Sequence, residues 1–266
     1  MIRRISKTFE ELKQREGKAF IPFITAGDPD LETTMKLVLE LERAGSHIVE
    51  LGLPFSDPVA DGPTIQRSSE RALRNGYRIG DYLEAVKTIR RRSAVPLVLF
   101  SYFNPILQYG LENLARDART AGVDGVLVTD ITPEEGHDYC ACLERNDLDP
   151  IFLVAPTSSA ERICRIVDCC RGFVYVVSRT GVTGPKDSLS NTALSTVSRV
   201  RARPTLPVVV GFGISRPDQV RAVWELADGV VVGSAIVAQV EKHAGADDLP
   251  MSVGAFCRWL SGSVND

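Results

Sequence analysis

With 266 residues, 44% of them hydrophobic, the chain is long enough to bury a sizeable core, either as two small domains or as one α/β barrel. A formal net charge of −3, with acidic and basic residues interspersed, excludes an electrostatic case for nucleic acid or an anionic membrane. No apolar run reaches membrane-spanning length, and Met1-Ile2-Arg3-Arg4 leads into a charged stretch without the apolar core of a secretory signal.

Residues 7–16 read as an amphipathic helix with Phe9 and Leu12 on one face, suited to plugging the bottom of a barrel. Eight short apolar, β-rich runs follow, at 20–25, 48–51, 97–100, 125–128, 151–154, 173–177, 208–211 and 230–233. Between them, helical spacing recurs at 31–44, 82–92, 111–121, 134–146, 160–169, 192–203 and 217–225, as the crossovers of a parallel sheet require. Runs such as Val208-Val209-Val210 and Val230-Val231-Val232 are apolar throughout, which suits strands covered on both faces. This alternation predicts an α/β fold, a (β/α)8 TIM barrel with an extra N-terminal helix and a short helix at 235–240 after strand 8. An open doubly wound sheet ranks second, because the first βα turn, Thr25-Ala26-Gly27-Asp28, lacks the G-x-G-x-x-G of a dinucleotide site. No linker or 20–50-residue repeat divides the chain, so one domain spanning 1–266 is expected. Arg90-Arg91-Arg92 ends a predicted helix and reads as a solvated C-terminus.

Cys140, Cys142, Cys164, Cys169, Cys170 and Cys257 have neither C-x-x-C pairing nor the density of a secreted scaffold, and reduced thiols in a cytosol are expected. His47, His137 and His243 are scattered, so no metal site is expected.

The stretch Val49 to Pro63 carries the chemistry. Glu50 interrupts the apolar series Val49, Leu51 and Leu53, and an ionised carboxylate is costly to bury without compensation. Asp61 supplies a second acid across a loop stiffened by Pro54, Pro58 and Pro63. If Glu50 faces inward, desolvation raises its pKa toward a value useful for proton transfer, while a better-solvated Asp61 stays ionised. A structural ion pair with a polar turn is the alternative. Three glycine-rich turns follow the last three strands: Gly181-Val182-Thr183-Gly184, Gly211-Phe212-Gly213 and Gly233-Ser234, with Ser234 set to cap the short helix. Glycines admit backbone N–H groups close to an anion, so the three together favour a phosphorylated substrate, although βα loops also use glycine simply to turn. Residues 178–190 form a longer, polar loop that suggests a lid.

The chain resembles the α subunit of tryptophan synthase over nearly its full length. The resemblance rests on Phe23 to Pro29, Glu50 to Pro63, Tyr102 with Asn104-Pro105-Ile106, Ala155-Pro156-Thr157, Tyr175, Ser178-Arg179, Gly181 to Gly184, Gly211 to Ser215 and Gly233 to Val237. It implies retro-aldol cleavage of indole-3-glycerol phosphate to indole and glyceraldehyde 3-phosphate, with no metal or organic cofactor. Glu50 is then the acid/base, and Asp61 accepts from indole N1–H and stabilises positive charge on the ring. Phe23, Phe100, Leu127, Thr129, Leu153, Tyr175 and Phe212 are the implied pocket, with Thr183 meeting Asp61 on closure. Gly184, Gly213, Gly233 and Ser234 are the implied phosphate cradle. A pyridoxal-phosphate-bearing β subunit in an α2β2 complex is the implied partner, docking on Phe55, Ser56, Asp57, Pro58 and Asn104. Two other readings stay open: a non-catalytic module that activates the β subunit, and a stand-alone lyase releasing free indole.

Overall fold

The computed structural model describes residues 3–177, 191–202, 206–211 and 213–262. The helices in chain order are α1 (Arg4–Gln14), α2 (Leu31–Arg43), α3 (Pro63–Leu73), α4 (Ile79–Arg90), α5 (Phe103–Tyr109), α6 (Leu111–Ala121), α7 (His137–Arg145), α8 (Ala160–Cys169), α9 (Asn191–Arg201), α10 (Pro217–Trp224), α11 (Ser234–Lys242) and α12 (Leu249–Ser261). The strands are β1 (Ala19–Thr25), β2 (Val49–Gly52), β3 (Leu97–Ser101), β4 (Gly125–Val128), β5 (Asp149–Ile151), β6 (Leu153–Val154), β7 (Val174–Val177), β8 (Val208–Gly211) and β9 (Gly229–Val232).

Pairing is parallel throughout, in the order β5-β4-β3-β2-β1-β9-β8-β7-β6. The two edge strands, β5 and β6, are consecutive pieces of chain separated only by Phe152. The sheet therefore curls until its edges meet at Phe152, whose carbonyl oxygen accepts from the Tyr175 N–H of β7 at 3.3 Å. The nine assigned strands thus occupy eight barrel positions. The fifth, expected as an unbroken 151–154, starts two residues earlier and is split; the other seven lie within one residue of their expected bounds.

Alternation of side chains sorts the strands into two layers. Ile21, Phe23, Val98, Phe100, Leu127, Tyr175, Val209 and Val231 fill the barrel, whereas Ile24, Val49, Leu51, Leu99, Val126, Val176, Val210 and Val232 pack against the outer helices. Because Val49 and Leu51 belong to the outer layer, Glu50 between them is turned into the barrel. The sequence positions an acid there by making both of its neighbours apolar.

At the bottom, α1 delivers Ile5, Phe9 and Leu12 to the inner layer, and the Phe9 ring centre lies 5.9 Å from that of Phe173. Arg4 Nη1 reaches Asp124 Oδ1 at 2.8 Å, and Asp124 Oδ2 accepts from Arg90 Nη2 at 2.6 Å and from the Leu97 N–H at 2.8 Å. Arg90 is therefore no part of a solvated helix end: its side chain is 11% exposed, and only Arg91 and Arg92 of that run face solvent. A desolvated carboxylate under the sheet needs a charged partner, which draws Arg90 inward. Asp124→Ala leaves that guanidinium without its anion and is expected to lower the unfolding free energy by ~3–5 kcal/mol, read from urea denaturation. Among the described residues, no helix is long and apolar enough to cross a membrane.

Candidate active site

Phe23, Glu50, Asp61, Ile65, Phe100, Tyr175, Gly213, Val231, Gly233 and Ser234 line a small cavity of about 40 Å³ that opens to solvent at the C-terminal ends of the strands. Barrel enzymes carry their chemistry at that end, where loops from different strands converge. Glu50 is 1% exposed, and neither of its carboxyl oxygens has a hydrogen-bond partner among the described residues. Burial in this apolar ring pushes its pKa from 4.5 up to about 8. At neutral pH Glu50 is therefore a neutral acid facing a cavity.

Asp61 stands in the loop between β2 and α3 and is less buried than Glu50. Burial raises it too, from 3.8 to about 6, against the lowering effect of a hydrogen bond from Tyr102. It is less well solvated than the sequence suggests, yet still ionised at neutral pH. The Tyr102 hydroxyl donates to Asp61 Oδ2 at 3.0 Å and accepts from the Ala60 N–H at 2.9 Å, while Gln66 Nε2 donates to Asp61 O at 2.9 Å. The loop is thus fixed from the end of β3 on one side and from α3 on the other. Two carboxyls in one cavity, with pKa values pushed to different heights, divide into an acid and an anion between about 6 and about 8.

The apolar wall is built from rings. Phe23 and Phe100 meet edge to face, with centres 5.2 Å apart and planes at 78°. Tyr175 lies so close to β8 that a side chain at Gly211 would put its Cβ 2.1 Å from the phenol oxygen, so only glycine fits beside that ring. Gly213 adopts φ 79°, a left-handed conformation that glycine takes without strain. Gly233, not Ser234 as expected, is the N-cap of α11, and Ser234 is the first residue of the helix. The helix starts one residue earlier than expected, which makes Ser234 an N1 residue. The first N–H groups of a helix have no intrahelical acceptor and carry its positive end, and here they border the cavity.

Three other expected pocket residues do not line this cavity. Leu127 and Leu153 stand in register beside Phe100 and Tyr175, the larger rings that do line it. Thr129 is tied to the end of β3, its N–H donating to Ser101 O at 3.0 Å. Thr183, Gly184 and Phe212 lie outside the described residues, as does the 178–190 segment read as a lid. Ile65 and Val231 line the cavity and Tyr102 and Gln66 hold the Asp61 loop, and sequence reasoning assigned none of these four a role in the site. Ile65 and Gln66 sit on α3, whose serine-rich inner face hides its periodicity, and the role of Tyr102 depends on how a neighbouring loop folds.

A larger hollow, about 680 Å³, lies at the opposite end, between α1 and the start of β8. Of its two acids, Asp228 is paired with Lys18 and Arg201 and Glu16 is exposed to solvent, so neither is a buried acid like Glu50. Among the described residues, no group of three or more His, Cys, Asp or Glu side chains could hold a metal ion.

A parallel (β/α)8 barrel with a buried carboxylic acid at its mouth, unpartnered among the described residues, and a helix N-terminus across the same cavity has the makings of a barrel enzyme that works by proton transfer on an anionic substrate. Residues 9–255 match the family described as tryptophan synthase alpha chain. The tryptophan synthase alpha chain of Geobacter sulfurreducens is 54% identical over 263 residues, covering 99% of each chain. In three dimensions, a chain of Mycobacterium tuberculosis tryptophan synthase superposes with a TM-score of 0.90 at 37% identity, covering 99% of both. A chain of the Pyrococcus furiosus tryptophan synthase α2β2 complex, described in terms of mutual activation, gives 0.86 at 36% identity, covering 92% of this chain and 98% of that one. The chain belongs to the tryptophan synthase alpha chain family. It is a carbon–carbon lyase of tryptophan biosynthesis, and its reaction cleaves indole-3-glycerol phosphate to indole and glyceraldehyde 3-phosphate.

Proposed function

We propose that Glu50 carries the proton transfers of this cleavage and that Asp61 stabilises the charge they create. The reading is supported above all by a protonated carboxylic acid, without a hydrogen-bond partner among the described residues, that faces the same cavity as Asp61 and the start of α11. Glu50 gives its proton to indole C3, leaving positive charge on the ring at N1. The bond from C3 to the glyceryl carbon then breaks, its electrons returning to the ring as the hydroxyl on that carbon gives its proton back to Glu50. Asp61 accepts from N1–H and offsets the ring's charge, a role for an anion held at a fixed point in a low-dielectric site. Gly213, Gly233 and Ser234 hold the phosphate through backbone N–H groups, with Gly184 as a fourth member, and no metal is asked for. Phe23, Ile65, Phe100 and Tyr175 bound the indole, with Leu127, Thr129, Leu153, Thr183 and Phe212 as outlying members.

A pyridoxal-phosphate-bearing β subunit is the proposed partner, in an α2β2 assembly. The reading is supported by the apolar side chains left outside the mouth: Val59 is 80% exposed and Leu107 59%, close in sequence to Phe55, Ser56, Asp57, Pro58 and Asn104. The chain is further proposed to fold as one domain, on the strength of its single continuous sheet, and to work in the cytoplasm. Purified chain incubated with indole-3-glycerol phosphate is expected to release indole slowly alone and faster with the β subunit. No indole in either case sinks the assignment of Glu50 and Asp61, and equal rates sink the assembly.

A further inference from the structure

Charged side chains join the two helices that border the cavity. Helix α3 buries only Ile65, Ser68, Ser69 and Ala72, so little hydrophobic area fixes its position. Its polar face does the holding. Arg71 donates from Nε and Nη2 to both carboxylate oxygens of Asp28, at 2.8 and 2.7 Å, and from Nη1 to Glu241 Oε1 at 2.8 Å. Asp28 is 2% exposed and follows β1; Glu241 lies in the last turn of α11, whose first turn borders the cavity. Arg67 adds a second fork to Glu241 at 2.9 and 2.8 Å, and Asn75 Nδ2 donates to Gly27 O and Pro29 O at 3.0 and 2.7 Å.

We propose that Arg71 is a positioning residue: forked between Asp28 and Glu241, it locks the helix behind Asp61 and the helix behind the phosphate cradle to the same βα turn, and so sets the distance between the two ends of the substrate site. This inference rests on the roles proposed for Asp61 and for the start of α11. Planar, bidentate geometry makes guanidinium the group for such a junction, and an ammonium cannot reproduce it. Arg71 does not line the cavity, so its effect is felt through the positions of α3 and α11.

The test compares Arg71→Met, Arg71→Lys, Glu241→Gln and Asp61→Asn with the wild type, as full chains with the β subunit, below the melting temperature of each. Arg71→Met is expected to raise KM and lower kcat together, cutting kcat/KM on the order of 10- to 100-fold, the scale of an ångström-sized displacement of reacting groups. Arg71→Lys is expected not to rescue it. Glu241→Gln keeps the Asp28 fork and loosens only α11, so KM is expected to rise while kcat stays near wild type. A folded Arg71→Met with kcat and KM within about twofold of wild type overturns the proposal. Should that variant not fold, an unchanged KM in Glu241→Gln overturns it instead. Asp61→Asn separates the two layers: a fully active Asp61→Asn refutes the site assignment, whereas a dead Asp61→Asn beside a normal Arg71→Met refutes only the clamp.

Discussion

Glu50→Gln is expected to lower kcat by about 10²- to 10⁴-fold, the usual contribution of a positioned general acid/base, while leaving KM close to wild type. Glutamine preserves the size of the side chain but has no proton to give to C3. Wild-type activity is expected to fall as pH rises through about 8, where the buried carboxyl ionises, and the residual activity of Glu50→Gln is expected to lack that limb. Stability also declines with rising pH, but over a lower window. Below the free carboxyl value of 4.5 both folded and unfolded chains hold the proton, and burial of Glu50 carries no electrostatic cost. From there to about 8 the unfolded chain releases its proton and the folded chain keeps it, so stability declines across that window and levels off above it. Each pH unit of such a window is worth about 1.4 kcal/mol. Glu50→Gln is therefore expected to be more stable than wild type by a few kcal/mol at alkaline pH, a gain visible in denaturant midpoints at pH 9 and absent at pH 4. A variant that is both inactive and no more stable at pH 9 contradicts the isolated burial of this acid.

The barrel was legible because its strands carry their own signal. Runs such as Val208-Val209-Val210 are apolar on both faces, which suits a parallel sheet covered on both sides, and the missing G-x-G-x-x-G set the barrel above an open doubly wound sheet. Glu50 was legible for the complementary reason, as the charged exception in an apolar strand. What escaped was structure whose stabilising groups are polar or distant. Helix α3 puts Ser68 and Ser69 where an amphipathic pattern has apolar residues, because that face meets Thr25 and Asp28 rather than hydrophobic core. Helix α5 holds Pro105 within its first turn, where proline is tolerated but reads as loop. Helix α12 was also missed: Leu249, Val253, Cys257 and Leu260 recur at helical spacing and are buried, but Pro250 and Gly254 interrupt the pattern. The inward turn of Arg90 needed Asp124, 34 residues away, and no local pattern announces such a pair.

Asp61→Asn is expected to cost about 10²- to 10³-fold in kcat, the scale seen when one preorganised charge-stabilising group is removed. Asparagine keeps a carbonyl oxygen that accepts from indole N1–H and from Tyr102, so the loss isolates the charge rather than the hydrogen bond. In the wild type, activity is expected to fall as pH drops through about 6, where Asp61 takes up a proton, and this limb is expected to vanish in Asp61→Asn. Tyr102→Phe provides the finer reading. Without the phenol hydrogen bond, which lowers the Asp61 pKa against its burial, the acid limb is expected to move to higher pH while the alkaline limb set by Glu50 stays in place. The Ala60 N–H also loses its acceptor, so the loop loosens and KM rises. A structural tyrosine would raise KM or lower stability without displacing one limb alone. An acid limb that stays put in Tyr102→Phe would mean that the ionisation controlling activity near pH 6 belongs to a group other than Asp61.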